Sequence, residues 1–239
     1  MKIESFKYKR RFVIGDIHGC NKTLKRLIKI INFQKDDILF FLGDYINKGI
    51  DSYGVIEFLL NLKNNNYQVF FVRGNHEQEF LENISKDDPI SNFYYAKEYN
   101  CQNLFTIDGF VKSEVVDFLN QTEFYFEIED YFLVHAGFNF NSLHFLDDIN
   151  SMLYIRNWKI DEEKLKGKNV IFGHQPTELS KIFSAIKNRK NKIPLDNGCV
   201  YRYRNFNKNN QLGRLCCLEL NSNWLYFIQN IDEVRQFAK

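Results

Sequence analysis

The chain has 239 residues, of which 44% are hydrophobic, so it can bury the core of one large domain, which excludes a disordered protein. Its 32 Lys and Arg nearly balance 30 Asp and Glu, giving a formal net charge of +2 at pH 7. Such a small surplus supplies no broad positive field, so neither nucleic acid nor an anionic membrane surface is expected as a partner.

The N-terminal residues and the cysteines indicate the cell compartment. No long apolar stretch follows the basic residues near the N-terminus, so we expect neither a signal peptide nor a membrane-spanning helix, and a cytoplasmic location. The number of cysteines is odd and none forms a CxxC pair, which argues against a disulfide framework. Reduced, mostly buried thiols are expected at Cys20, Cys101, Cys199, Cys216 and Cys217.

In the first third of the chain, short apolar runs alternate with helical patterns, which is typical of βαβ units around a layered sheet. Strands are predicted at Arg11–Ile14, Ile38–Leu42 and Tyr67–Val72. Apolar residues at three- and four-residue steps predict a helix after each of the first two strands, with Asn21 and Ser52 as capping residues.

The middle of the chain is rich in aromatic residues and less regular. Residues 84–110 are predicted to form an inserted helical cap or lid, which a helix at Val111–Asn120 extends, and residues 84–121 are termed the cap segment. Strands at Phe124–Ile128 and Tyr131–Val134 are then predicted to form a hairpin.

The last third of the chain predicts further strands, with Ser222 and Asn223 as a hairpin turn. Repeats, low-complexity tracts and linkers are absent from the sequence, so residues 1–239 are expected to form a single domain of the α/β class. The predicted strands of this part are Asn169–Phe172, Cys199–Tyr203, Arg214–Leu220 and Trp224–Gln229.

Side chains of the kind that bind metal ions follow five of the predicted strands. Because the carboxyl ends of strands in layered α/β folds face one crevice, residues far apart in sequence can converge there. Carboxylate, imidazole and amide oxygen ligands together suit divalent manganese, iron or zinc better than a calcium cage or a thiolate site. The candidates are Asp16, His18, Asp44, Asn75, His76, His135 and His174.

Each of these residues also has an ordinary explanation when it is taken alone. Asp16 could accept backbone amides in a turn, and His135 or His174 could be a hydrogen-bonded core histidine. His144 follows no predicted strand and is left in that ordinary class. Five loops of the same topological type that all carry ligand residues favour a metal site.

Five short motifs occur in a fixed order: GDIHGC at 15–20, GDYINKG at 43–49, RGNHE at 73–77, HAG at 135–137 and GH at 173–174. In these motifs the sequence resembles the phosphoprotein phosphatases of the calcineurin-like metallophosphoesterase superfamily, and most of all the lambda-type bacterial serine/threonine protein phosphatases. The resemblance covers nearly the whole chain. It implies a layered metallophosphoesterase fold, a central β-sandwich flanked by helices, with a dimetal site at the strand ends.

The resemblance also implies the ligands and the reaction. Two divalent ions would be bound, with manganese expected and iron or zinc as alternatives, and a hydroxide held by both would attack phosphorus directly. One ion would be held by Asp16, His18 and Asp44, and the other by Asp44, Asn75, His135 and His174.

Catalytic and phosphate-binding residues follow from the same motifs. His76 would protonate the departing alkoxide, with residue 47 as its partner. Lys48 and Arg156 would bind phosphate, although Arg156 could instead be a surface cation on a helix. Arg73 is grouped with them as a member of RGNHE, although its task could be structural.

The second motif departs from the family pattern GDYVDRG, because Asn47 replaces Asp and Lys48 replaces Arg. Lysine lacks the planar fork of arginine, so Lys48 should attract phosphate but orient it less well. A carboxylate typically raises the pKa of a neighbouring imidazole by about 1–3, and an amide loses most of that effect. We therefore expect His76 to be a weaker acid and substrates with poor leaving groups to be hydrolysed least well.

Three functions are compatible with these residues. The leading hypothesis is a phosphomonoesterase, most of all a serine/threonine protein phosphatase, whose substrate is a phosphorylated protein or a small phosphate ester. The alternative is a symmetrical dinucleoside tetraphosphate hydrolase, a branch that tolerates loss of Asp at position 47 but usually has GNHD where Glu77 stands here. The third is a low-activity relative weakened at Asn47 and Lys48, against which the six intact ligands count.

Overall fold

The computed structural model describes residues 1–85, 87–202 and 211–232. No helix among these residues is long and apolar enough to cross a membrane. In chain order the elements are β1 (Arg11–Ile14), α1 (Asn21–Ile30), β2 (Ile38–Phe41), α2 (Ser52–Asn64), β3 (Gln68–Phe71), α3 (Asn75–Asn83), α4 (Pro89–Tyr99), α5 (Ser113–Asn120), β4 (Tyr125–Glu127), β5 (Tyr131–Val134), α6 (Ile149–Tyr154), α7 (Glu162–Leu165), β6 (Asn169–Phe172), α8 (Leu179–Lys187), β7 (Lys192–Pro194), β8 (Arg214–Glu219) and β9 (Trp224–Gln229).

The strands form two sheets. The first has the order β3-β2-β1-β8-β9, in which β1, β2 and β3 run parallel and β8 and β9 join as antiparallel strands. The second has the order β4-β5-β6-β7, in which β5, β6 and β7 are parallel and β4 closes a hairpin with β5. Both sheets therefore present the carboxyl ends of several parallel strands.

Alternate residues of each strand contribute to different layers of the core. Val13 and Phe40 of the first sheet pack with Leu133 and Ile171 of the second, so the inner faces of the two sheets enclose one core. The opposite face of the first sheet, including Phe12, packs against helices. This arrangement confirms the predicted β-sandwich flanked by helices, and it explains why β1 and β2 are apolar throughout.

Two predictions on the last third of the chain need correction. Cys199–Tyr201 form a 3₁₀ helix rather than a strand, because Gly198 adopts a left-handed φ of 62° and turns the chain. Tyr203, the end of that predicted strand, lies outside the described residues. The strand β7 was not predicted, because it is three residues long and includes Pro194.

The predicted helix caps are also wrong in detail. Asn21 is the first residue of α1, and its Nδ2 donates to Asp51 Oδ2 at 2.6 Å instead of capping the helix. Asp51, rather than Ser52, caps α2 by accepting a hydrogen bond from Gly54 N at 3.0 Å. The helices themselves lie where the periodicity predicts them, and all five cysteines are buried free thiols as expected.

The cap segment contains α4, a 3₁₀ turn and α5. Tyr95 of α4 stacks on Tyr99 with ring centroids 4.4 Å apart and meets Phe80 of α3 edge-on. The segment also holds the second motif, since Lys48 N donates to Tyr99 O at 2.9 Å and Asn100 Nδ2 donates to Gly49 O at 2.7 Å. These contacts make the segment a support for the loop at 43–49, and its role as a lid stays a prediction.

Candidate dimetal centre

The carboxyl ends of β1, β2 and β3 meet those of β5 and β6 at one end of the sandwich, which is where the motif loops lie. The loops are tied to each other through their backbones: His18 N donates to Asp44 O at 2.7 Å and Gly173 N donates to His135 O at 2.8 Å. The structure thus brings together all six predicted ligands from four hydrogen-bonded loops and the first turn of α3.

Asp44 lies at the middle of the cluster. Its Oδ2 is 3.3 Å from His18 Nε2, and its Oδ1 is 3.5 Å from His135 Nε2. The potential ligand atoms form two sets, and within each set all atoms lie within 4.8 Å of one another. Asp44 belongs to both sets, together with His18 and His76 in one and with Asp16 and His135 in the other. A carboxylate shared by two ligand sets is the geometry expected of a bridging ligand.

Asn75 joins the other predicted ligands. Its Oδ1 is 3.0 Å from both His135 Nε2 and His174 Nδ1. Its Nδ2 donates to Glu79 Oε1 at 3.2 Å, so the oxygen rather than the nitrogen faces the histidines. The backbone N–H of His174 in turn donates to both carboxylate oxygens of Asp16, at 3.1 and 3.0 Å.

The histidine tautomers show that this cluster fits metal ions. Nδ1 of His18 donates to Ile46 O at 3.0 Å and Nδ1 of His135 donates to Leu42 O at 2.8 Å. A carbonyl oxygen only accepts, so each Nδ1 carries the proton and each Nε2 presents a lone pair. The lone pair of His135 faces oxygens of Asn75 and Asp44, which are also acceptors, and a cation between them relieves the repulsion. At His18 the Lys48 ammonium, 2.9 Å from Nε2, already supplies one positive charge.

Burial sets the protonation states in the same direction. It lowers the pKa of His18 and of His135 below the usual histidine value, which keeps both imidazoles neutral and able to bind a metal. Burial pushes the pKa of Asp44 upward, but the surrounding imidazoles, foremost His135, bring it below its ordinary value. The pKa of Asp16 is raised, first by burial and then by the negative charges of Asp196 and Asp44.

Backbone strain is concentrated at this cluster. Among the described residues, eleven non-glycine residues have a positive φ, and five of the eleven lie at the centre. Such conformations persist only where the surrounding structure enforces them, and they tend to accumulate at functional sites. The five are His18 (47°), Asp44 (52°), Asn47 (69°), Lys48 (65°) and His174 (64°).

Two motif glycines are required by close approach. A Cβ at Gly74 would lie 2.2 Å from Asp44 Oδ1, and a Cβ at Gly173 would lie 2.0 Å from Asp16 Oδ1. Any side chain at these positions would push the carboxylates away from the centre.

Glu77 holds the second motif from beneath. It is fully buried, and its carboxylate accepts the backbone N–H groups of Asp44 (2.8 Å), Tyr45 (2.8 Å), Ile46 (3.3 Å) and Gly74 (2.9 Å). The side chain therefore contacts backbone and cannot reach a substrate. The difference between GNHE and GNHD therefore does not act on substrate choice through direct contact with the substrate.

The predicted proton donor has an amide partner. Asn47 Nδ2 lies 3.0 Å from His76 Nδ1, and Asn47 N donates to Ser52 Oγ at 2.9 Å. The rings of His76 and His18 are 4.9 Å apart, so His76 reaches the edge of the centre. Burial, as the largest cause, lowers the pKa of His76 to about 4, and no carboxylate contacts its Nδ1 among the described residues.

The three predicted phosphate-binding cations have different positions. Lys48 Nζ is 2.9 Å from His18 Nε2, inside the centre. Arg156 is exposed beside the centre, and its charge is one of the causes, after burial and His135, that lower the pKa of His174 to about 3. The grouping of Arg73 with the phosphate-binding residues needs correction. Its guanidinium donates hydrogen bonds to Thr122 Oγ1, Gln78 Oε1 and Leu119 O, each at 3.0 Å, and so has a structural role.

One acidic residue at the centre was not predicted. Asp196, after β7, is 3% exposed and acts electrostatically on Asp16. Burial raises the pKa of Asp196 to about 7, against a hydrogen bond from Gly198 N and the charge of Lys48. A carboxylate after a strand was the available signal, but the strand itself was missed. His144 lies apart from the candidate ligands, but it is exposed and 4.0 Å from Asp147, so it is not the hydrogen-bonded core histidine that was expected.

The calcineurin-like phosphoesterase family profile matches residues 9–217 of this chain. The chain therefore belongs to the calcineurin-like phosphoesterases, a family of hydrolases that use a dimetal site. The fold, the order of the motifs and the cluster of candidate ligands agree with that membership.

Individual relatives point to two substrate classes. A symmetrical bis(5'-nucleosyl)-tetraphosphatase of Wigglesworthia glossinidia brevipalpis is 36% identical over 94 residues, which are 36% of this chain and 34% of that enzyme. This chain thus matches about a third of the length of that curated relative. Serine/threonine-protein phosphatase 2 of Salmonella typhimurium is 27% identical over 82% of this chain and 90% of that protein. A crystal structure provisionally named a diadenosine tetraphosphatase superposes with a TM-score of 0.61 over 98% of both chains at 20% identity, which supports the fold.

Removing the shared carboxylate tests the centre. We expect Asp44→Asn to weaken manganese binding at both sites by more than about 100-fold, because Asp44 belongs to both ligand sets, whereas His18→Gln should weaken one site only. Isothermal titration calorimetry of the metal-free protein gives stoichiometry and affinity. Asp147→Asn, which neutralises an 82% exposed side chain, is the matched control. Two unchanged sites in Asp44→Asn would contradict the assignment.

Shortening Glu77 tests its structural role. We expect Glu77→Asp to lose at least two of the four backbone hydrogen bonds and to destabilise the protein by about 2–4 kcal/mol. The ratio of rates on diadenosine tetraphosphate and a phosphoserine peptide should not change. Thermal unfolding and steady-state kinetics measure the two effects, with exposed Glu163→Asp as the control. A shift of that ratio toward one substrate would show that Glu77 does set specificity.

Proposed function

We propose that this phosphoesterase hydrolyses dinucleoside tetraphosphates symmetrically, in preference to phosphoproteins. Water adds to one of the two central phosphorus atoms, the bridging P–O bond breaks with its electron pair leaving on one nucleoside diphosphate, and a proton is released. The order of the two main hypotheses from the sequence is thereby reversed.

The contact between Asn47 and His76 carries the proposal. A departing serine alkoxide is strongly basic and needs a proton as the bond breaks, whereas a nucleoside diphosphate leaves as a stabilised anion. An imidazole whose Nδ1 faces an amide N–H, rather than a carboxylate that would accept its proton, is poorly supported as an acid and suits the second kind of leaving group. Glu77, which favoured phosphoproteins in the sequence, binds four backbone N–H groups and therefore makes no direct case for a phosphoprotein substrate.

The remaining residues have roles that suit either phosphate ester. Two divalent ions, with manganese expected, would polarise the phosphate oxygens and lower the pKa of water. Asp16, Asp44 and the imidazoles would hold them. Lys48 and Arg156 would neutralise phosphate oxygens from two sides, and Lys48, a point charge without a planar fork, would tolerate a polyphosphate chain in more than one orientation.

The relatives support the same order. The Wigglesworthia glossinidia brevipalpis match carries the tetraphosphatase name, and the structure that superposes over 98% of both chains carries a similar one. Phosphoprotein hydrolysis is the second candidate, because the Salmonella typhimurium phosphatase matches 90% of its length to this chain.

Restoring the family aspartate tests the proposal. The manganese-loaded wild-type protein should convert diadenosine tetraphosphate to ADP at least about 10-fold more efficiently than it dephosphorylates a phosphoserine peptide. Asn47→Asp should raise the phosphoserine rate by about 10-fold and change the tetraphosphate rate less than about threefold, since only the first reaction needs the proton. Product chromatography and phosphate release give the two rates.

Asn188→Asp, at the exposed end of α8, adds the same charge away from the centre and should alter neither rate. A wild-type protein that prefers the phosphoserine peptide would overturn the proposed substrate. Products other than ADP from diadenosine tetraphosphate would overturn symmetrical cleavage.

A further inference from the structure

A cavity of about 600 Å³ is lined by residues that follow a loop carrying a candidate ligand. It is lined by Phe138–Asn141, which follow the ligand loop after β5, by Ile155–Lys159 after α6, and by Lys192 of β7. Trp158 Nε1 donates to Ala136 O at 3.2 Å, next to His135. The cavity is therefore built directly on the loop that supplies a candidate ligand.

A second contact ties the cavity to the other loop of the second sheet. Gln175, the residue after His174, donates its Nε2 to Arg156 O at 2.8 Å. The charge of Arg156 acts on His174 at the centre, and the same residue lines the cavity. Arg156 thus lines the cavity and is hydrogen-bonded through its carbonyl to the residue that follows His174.

The lining is cationic and carries no carboxylate. Arg156, Lys159 and Lys192 belong to it, and within the described ranges none of the three has an acidic side chain within ion-pair distance. Three amide side chains, those of Asn139, Asn141 and Asn157, add neutral hydrogen-bond donors.

Lys192 is the most constrained of these cations. Its Nζ lies 3.9 Å from the ring centroid of Trp158 and donates to Trp158 O at 3.0 Å. Burial lowers the pKa of this lysine, and among the described residues no acidic side chain pairs with it. Burying an ammonium group without a carboxylate partner costs free energy, and an anion that binds next to it offsets this cost.

We propose that this cationic pocket binds the phosphate groups that lie beyond the attacked phosphorus in a polyphosphate chain. The inference rests on the proposed function, in which the departing half of the substrate is a nucleoside diphosphate. With the attacked phosphate bound by Lys48 and Arg156, the next two phosphates would extend beyond the centre, and Arg156 lines the cavity together with Lys159 and Lys192. A volume of this size accommodates a nucleotide-sized ligand.

The test uses ADP as an inhibitor of p-nitrophenyl phosphate hydrolysis by the manganese-loaded protein, with inorganic phosphate as the reference inhibitor. In the double variant Lys159→Gln/Lys192→Gln, the Ki for ADP should rise by about 10-fold or more relative to the Ki for phosphate. Lys159→Gln alone, at an exposed position, should give about threefold. Lys192→Arg keeps the charge and should retain most of the ADP affinity.

Lys29→Gln/Lys35→Gln removes the same charge from exposed positions at the end of α1 and in the turn after it, and should leave both Ki values unchanged. If the Ki for ADP in the double variant changes no more than the Ki for phosphate, the proposed pocket is wrong, whether or not the protein hydrolyses diadenosine tetraphosphate. An ADP Ki that rises in a protein inactive on diadenosine tetraphosphate supports the pocket and overturns the proposed substrate. Weakened inhibition by a phosphoserine peptide with unchanged inhibition by ADP would also overturn the pocket.

Discussion

Buried negative charge is the constraint on which the rest of the structure depends. Asp16, Asp44 and Asp196 are each no more than 3% exposed and lie at the same end of the sandwich. Removing a carboxylate from water costs several kcal/mol unless a nearby positive charge compensates for the lost hydration. Lys48 supplies one charge, and the neutral imidazoles with their inward lone pairs leave room for divalent cations to supply the rest.

The surrounding scaffold fixes these carboxylates with groups that carry no catalytic role. Glu77 collects four backbone N–H groups under the second motif, and the cap segment holds the same loop from the other side through Tyr99 and Asn100. The carboxylates of Asp44 and Asp16 occupy the space that a Cβ atom at Gly74 or Gly173 would take. The left-handed backbone at the centre persists because this frame enforces it.

The sequence located the strands whose apolar runs are buried on both faces, and β1 and β6 match to the residue because such runs end where the polar loops begin. The candidate ligands could be picked out because they follow the ends of those strands. The roles of Glu77 and Asp196 could not be predicted. Glu77 accepts backbone N–H groups and Asp196 is a third buried carboxylate, and both roles depend on which loops meet in space. The predicted strand at 199–203 failed because one left-handed glycine, Gly198, outweighs the β propensity of the residues after it.

The changes at positions 47 and 48 alter charge without altering the frame. The backbone of Lys48 is held at both its N–H and its carbonyl, by Tyr99 O and Asn100 Nδ2, and Asn47 still contacts His76. A decaying site would be expected to lose ligands, glycines or the supports of its loops, and all of these remain. Under the proposed function the two substitutions act on the chemistry itself: the amide would withdraw support from a proton donor, and the lysine would keep attraction for phosphate while giving up its orientation. That combination would favour substrates whose leaving group departs as an anion and whose phosphates extend along more cations than the centre alone provides.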